Sequence, residues 1–271
     1  MTVPVPTAPL RFLCLHGHAQ NATIFYGRTG AFRKAFKSTA EFTFANAPHA
    51  IPIDTPQHDG GEVTQSSQPL SWCEKLPDGT VYGLDAAMDS LADVLKEQGP
   101  FDGLLAYSQG ASIGVLLAAI LENPAAAKAK LQSTPASTPT PASASDSSAS
   151  SVAAVNGKPA PGGVYLKRDS ELRNSRILDT THPPFKVALL FCSGGPATNA
   201  SLNPLFSDGR IQCPSLHVLG RQDAVVPNER SEMLLQFFEK PETLYHDGGH
   251  FVPGQSSITR QIKDFLSKNK A

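Results

Sequence analysis

The chain has 271 residues, of which 40% are hydrophobic and 17% charged, with a formal net charge of −1. This length suits one α/β domain that buries most of its apolar surface. The balanced charge, with no long run of either sign, excludes electrostatic capture of nucleic acid or an anionic membrane and leaves a small-molecule substrate as the default.

Residues 1–9 are Pro-punctuated and lack the basic and apolar regions of a secretory leader. The longest apolar stretch, Ala111 to Leu121, is too short to span a bilayer and reads as a helix buried beneath a sheet. Cys14, Cys73, Cys192 and Cys213 show no C-x-x-C or zinc spacing, so reduced, buried thiols and a cytoplasmic location are expected.

Strand-like and helix-like segments alternate, the pattern of a mostly parallel sheet with helices on both faces. Leu10–Leu15 is a strand, followed by one helical stretch over about 21–36 and a second strand at Glu41–Ala45. Leu84, Met88, Leu91 and Leu95 recur at helical spacing until Gly99-Pro100 ends the helix. Gly103–Tyr107 is a strand leading through Ser108 into a helix over Gln109–Glu122. Lys186–Cys192 and Ser215–Leu219 are apolar strands. Helix Asn228–Phe238, strand Thr243–His246 and helix Ile258–Leu266 complete the series.

From Pro124 to about Pro161 the chain is nearly all Ala, Ser, Thr and Pro. Such a segment buries too little apolar surface to offset its ordering entropy, so a disordered insertion at 124–161 in one domain is expected. The following, more polar stretch, 163–184, falls where enzymes with such a sheet often carry lid elements, an analogy only.

Ala106-Tyr107-Ser108-Gln109-Gly110 nearly matches the G-x-S-x-G elbow, with the required strand before it and helix after it. The elbow lifts a serine nucleophile on a strained turn. Here Ala106 replaces the first glycine at a modest crowding cost. A rival serine, Ser193, sits in the turn Cys192-Ser193-Gly194-Gly195.

His250 follows the last strand on Gly248-Gly249, a flexible pair suited to aiming an imidazole base. The order Ser, acid, His is that of α/β-hydrolases. The acid is expected at Asp223, just past strand Ser215–Leu219, with Asp247 as its competitor. Developing oxyanion charge needs donors, assigned to the backbone N–H groups of Gln109 and His18, with Gly17 supplying the turn. His16 and His18 lack a third ligand at suitable spacing, so neither a metal nor another cofactor is expected. Trp72 reads equally as a wall of the acyl pocket or as a core anchor, and Tyr107 is similarly open.

Leu13-Cys14-Leu15-His16-Gly17, Phe101-Asp102-Gly103 leading to Ser108-Gln109-Gly110-Ala111, Gly220 through Asp223 to Val226-Pro227, and Gly248 through Pro253 together resemble the fungal family of small serine hydrolases. That family includes yeast serine hydrolases, a human ovarian-tumour-suppressor-region homologue and thioesterases that release polyketides of the lovastatin pathway. The resemblance covers nearly the whole chain except 124–184. It implies an α/β-hydrolase fold and a carboxylesterase or thioesterase using Ser108, Asp223 and His250. The family usually carries Gly-Phe-Ser where this chain has Ala106-Tyr107-Ser108.

The expected function is hydrolysis of an acyl ester or thioester through an acyl-enzyme. The substrate is a small molecule or an acyl chain on a carrier protein, with release of a polyketide in secondary metabolism as the narrower reading. A general short- or medium-chain carboxylesterase, a peptidase, and a non-catalytic binding protein that keeps the elbow as a ligand cradle remain alternatives.

Overall fold

The computed structural model describes residues 8–52, 67–75, 81–133, 172–194, 202–207 and 209–269. In chain order the elements begin with β1 (Leu10–Leu15), α1 (Ala22–Arg28), α2 (Gly30–Phe36) and β2 (Ala40–Ala45). Four two-residue strands follow, β3 (His49–Ala50), β4 (Leu70–Ser71), β5 (Glu74–Lys75) and β6 (Val81–Tyr82). Then come α3 (Leu84–Gln98), β7 (Gly103–Tyr107), α4 (Gln109–Glu122), α5 (Pro124–Ser133) and β8 (Val187–Phe191). The chain continues through β9 (Ser215–Gly220), α6 (Asn228–Glu232), β10 (Pro241–His246) and α7 (Ser256–Lys268).

Six strands form one parallel sheet in the order β10-β9-β8-β7-β1-β2. The period-two alternation of side chains divides its core into two layers. Leu13, Leu15, Leu104, Ala106, Ala188 and Leu190 pack with α3, α4 and α5 on one face. Phe12, Cys14, Leu105, Tyr107, Leu189 and Phe191 pack with α1, α2 and α7 on the other. This is the mostly parallel sheet with helices on both faces expected from the alternating pattern, and the α/β-hydrolase architecture the resemblance implies. Leu84, Met88, Leu91 and Leu95 line the buried stripe of α3, as their spacing requires. All four cysteines are buried thiols outside any disulfide. Among the described residues no single helix is long and apolar enough to cross a membrane.

Two helices change in detail. The helix expected over 21–36 is divided at Thr29, whose Oγ1–H donates back to Phe25 O (2.8 Å) and competes with the helical ladder. The helix expected over 228–238 ends at Glu232, and Leu235–Phe237 tightens into a 3₁₀ turn.

The largest correction concerns the insertion. Pro124–Ser133 is a helix, with Ala127 and Leu131 buried against the body. Asn123 caps it by accepting Ala126 N–H (3.0 Å), and Pro124 begins it. An N-cap Asn followed by Pro and an Ala-rich run favours a helix wherever a flanking surface takes its apolar residues. The remainder of the expected insertion, 134–161, lies outside the described residues, as does 163–171 of the expected lid region.

The later part of that region forms 3₁₀ turns at Leu172–Asn174 and Arg176–Asp179. Leu172, Ile177 and Leu178 are core residues, and Arg176 pairs with Asp93 (Nη2–Oδ2 2.9 Å) on α3. This portion packs against α3 and the core.

Candidate active site

The parallel register brings the loop ends together. His246 at the end of β10 is level with Gly220 at the end of β9, so the loops carrying Asp223 and His250 leave the sheet side by side. Ser108 N–H donates to Phe191 O (2.9 Å), fixing the end of β7 against β8. Ser108 has φ 52°, ψ −119°, a conformation side chains rarely adopt, and so stands on a strained turn between strand and helix.

The methyl of Ala106, expected to crowd this turn, is accommodated from below. A Cβ at Gly114 would lie 3.3 Å from Ala106 Cβ and 2.7 Å from Leu104 Cδ2, so the helix gives up a side chain where the strand keeps one.

Ser108, His250 and Asp223 form a continuous hydrogen-bonded chain. His250 Nδ1–H donates to Asp223 Oδ2 (2.7 Å), and the Ser108 hydroxyl lies 3.0 Å from His250 Nε2. The acidic partner fixes the tautomer in which Nε2 accepts the serine proton. The Asp223 side chain is only 1% exposed. Its Oδ1 accepts the N–H groups of Val226 (2.8 Å) and Val225 (2.9 Å). Burial pushes the Asp223 carboxyl up, but the Val226 N–H, the His250 ring and the Val225 N–H outweigh it and hold the pKa below the usual value. Asp247 is 96% exposed and faces Arg221 (3.5 Å).

The glycine pair before His250 is tied down. Gly248 O accepts Gln222 N–H (3.0 Å), and Tyr107 supports the next residue by donating its hydroxyl to His250 O (2.9 Å). The Tyr107 ring also lies 5.1 Å from the imidazole and stacks on Phe25. Tyr107 is therefore a core residue and a brace for the histidine loop at once.

Ser193, the rival serine, is 1% exposed, and its carbonyl accepts the Ser231 hydroxyl (2.8 Å). No imidazole bonds its hydroxyl among the described residues.

Of the expected oxyanion donors, Gln109 follows Ser108 directly and His18 follows Gly17. Gln109 opens α4, while His18 lies in the turn after β1. A Cβ at Gly17 would fall 3.2 Å from Ser108 Cβ and 2.9 Å from the Tyr107 ring, so this turn approaches the serine closely. The left-handed residue of the turn is Ala19 (φ 56°) rather than Gly17, which serves the close approach instead. Neither His18 N–H nor Gln109 N–H has an acceptor among the described residues.

Trp72 is a core anchor, 0% exposed, with Nε1–H donating to His16 O (2.8 Å). His16 is buried as well, its Nε2 accepting Ala47 N–H (3.0 Å) and its pKa lowered to about 4, chiefly by burial. Both of its ring nitrogens serve the loop, so His16 is a strut and not a metal ligand.

The one His/Cys/Asp/Glu group close enough to hold an ion, among the described residues, is Cys192, Asp223 and His250. It fits a metal poorly. Asp223 and His250 already bond each other, and burial followed by the Asp223 charge pushes the Cys192 thiol up to about 12, away from the thiolate a metal requires.

Sequence reasoning missed the side chain of Gln109. Its Oε1 accepts Trp72 N–H (2.9 Å) and its Nε2 donates to Cys73 O (2.8 Å), locking the segment after β4 onto the elbow. No local motif signals a pairing across 37 residues.

Chemically, the arrangement offers a hydroxyl beside an imidazole, a buried carboxylate behind it and two N–H groups that have no acceptor among the described residues. That constellation suits acyl transfer.

Comparison with known proteins agrees with this chemistry. The family described as "Serine hydrolase (FSH1)" matches residues 5–262. "Esterase OVCA2" of Danio rerio is 28% identical over 279 residues, covering 96% of this chain and 97% of that protein. "Esterase C25G4.2" of Caenorhabditis elegans is 28% identical, covering 95% of this chain and 92% of its own. The solved structure of Arabidopsis thaliana SOBER1 superposes with a TM-score of 0.53 at 13% identity, covering 97% of this chain and 99% of its own, and so speaks to the fold. With its elbow, sheet order and a family match spanning almost its full length, this chain belongs to the serine hydrolase (FSH1) family.

Proposed function

We propose that the protein hydrolyses a carboxylic ester or thioester through an acyl-enzyme on Ser108. The observation that carries this reading is the chain Asp223–His250–Ser108, with spacings of 2.7 and 3.0 Å. His250 takes the Ser108 proton as Oγ attacks the acyl carbonyl, then delivers it to the departing alcohol or thiol. Asp223 holds the ring and offsets the imidazolium charge. The N–H groups of His18 and Gln109 receive the oxyanion of the tetrahedral intermediate. Water repeats the sequence to release the acid.

Within this class, release of a polyketide from a carrier protein is the narrower reading, supported by the resemblance of the motifs around Gly17, Ser108, Asp223 and His250 to the polyketide-releasing thioesterases. Turnover of acyl oxyesters and thioesters of graded chain length, by wild type and by Ser108→Ala, tests both levels. The variant should lose roughly 10⁴-fold or more. A fully active Ser108→Ala would overturn the mechanism, and a preference for short free oxyesters would overturn the narrower reading.

A further inference from the structure

A second layer of hydrogen bonds joins the two sides of the oxyanion site through the β3–β4 arm. On one side, Leu70 N–H donates to Gln20 O (2.8 Å) and Asn21 Nδ2 donates to Gln68 O (2.9 Å), binding the arm to the turn that carries His18. On the other side, Gln109 clamps Trp72 and Cys73 to the start of α4. The buried hydroxyl of Ser71 sits where these two sets meet. Its hydrogen has two acceptors, Cys73 O (2.7 Å) and Gln109 Oε1 (3.2 Å). Its lone pairs face His18 Nδ1 (3.3 Å). Once the hydroxyl gives its hydrogen to one of those oxygens, Nδ1 must be the donor in the last bond.

We propose that Ser71 is a positioning residue that fixes the spacing between the oxyanion donors His18 N–H and Gln109 N–H. It bonds the side chains of the same two residues whose backbone N–H groups flank Ser108. His18 belongs to an exposed turn, with the left-handed Ala19 next to it. Without a link from its side chain, that donor is held only by the backbone of the turn. An oxyanion donor works by being in place before charge develops, so a loosened donor costs transition-state stabilisation while leaving ground-state binding nearly untouched. The inference rests on the proposed assignment of Ser108 as nucleophile and of these two N–H groups as oxyanion donors.

The test compares Ser71→Ala, Ser71→Thr, His18→Ala and the Ser71→Ala/His18→Ala pair on a p-nitrophenyl ester. Outright loss of an oxyanion donor costs about 10²–10³-fold, so a displaced one should lower kcat by about tenfold. KM should stay within about twofold, and Ser71→Thr should restore most of the loss. Affinity for a trifluoromethyl ketone, whose serine adduct carries an oxyanion, should fall by the same factor as kcat/KM. His18→Ala removes the other half of the bond from an exposed position and opens no cavity, so it should reproduce the loss, and the pair should be no worse than either single change. Stoichiometric fluorophosphonate labelling of Ser108 in each variant separates this inference from the nucleophile assignment. An unlabelled Ser108 in wild type sinks the assignment. Labelled variants with unchanged kcat, with a loss in KM alone, or with additive effects sink the role of Ser71.

Discussion

Replacing Asp223 by Asn isolates what the carboxylate contributes. Oδ1 accepts two backbone N–H groups at 2.8 and 2.9 Å, while Oδ2 accepts the imidazole N–H at 2.7 Å. An amide of the same shape must keep its oxygen on Val225 and Val226, because turning its NH₂ towards them would oppose donor to donor. The NH₂ is then directed at His250 Nδ1, which must accept, and the ring proton moves to Nε2. In that tautomer Nε2 cannot take the Ser108 proton. The corresponding change in a serine protease costs about 10⁴-fold, or ~5 kcal/mol of transition-state stabilisation. Packing is preserved, so melting should shift little. The exposed Asp247, which faces Arg221 at 3.5 Å, should tolerate Asn within about twofold. Steady-state kcat on a p-nitrophenyl ester, with calorimetric melting of each variant, measures both. A crippled Asp247→Asn beside a tolerated Asp223→Asn would refute the reasoning.

Tyr107→Phe removes the hydroxyl bonded to His250 O but keeps the ring stacked on Phe25. It should cost about 1 kcal/mol, a fall in Tm of about 2–4 °C, with kcat within a few-fold of wild type; an unchanged Tm would show that the brace carries no load. Acid should destabilise the fold through two buried histidines, whose pKa values burial lowers from 6.5 to about 4 in His16 and about 3 in His217. Both take up protons on unfolding before they do so when folded, so the stability they contribute is complete above pH 6.5 and drains as pH falls through that window. Between pH 6.5 and 5 each loses about 2 kcal/mol. Urea melts of His217→Leu should show a flatter pH dependence by that amount, and an unaltered slope would contradict the assignment.

Much of the fold was legible because its signals are local. An apolar strand running into Ser108-Gln109-Gly110 and then an apolar helix can hardly fold otherwise than as an elbow. Glycine before His250 and a strand end before Asp223 marked the other two positions. The choice between Asp223 and Asp247 was harder, because both follow strands. The β9–β10 register favours Asp223, because it sets Gly220 beside His246 and lets the Asp223 loop reach back to the imidazole.

What sequence reading misjudged was also physical. Composition taken over the whole low-complexity segment hides its Ala-rich start, where an Asn cap and a proline open a helix. The division at Thr29 goes with side-chain bonds to Phe25 O and Tyr26 O, which periodicity does not show. The Ser71–Gln109–His18 network joins residues 38 and 53 positions apart, and such pairings leave no trace in periodicity.

The central claim is that Ser108 is the activated nucleophile. Fluorophosphonate labelling of the intact protein, followed by peptide mass spectrometry, addresses it most directly. The account predicts one adduct per chain on the peptide containing Ser108, abolished by Ser108→Ala and greatly slowed by Asp223→Asn. An adduct on the buried Ser193, or labelling that persists in Ser108→Ala, would contradict it.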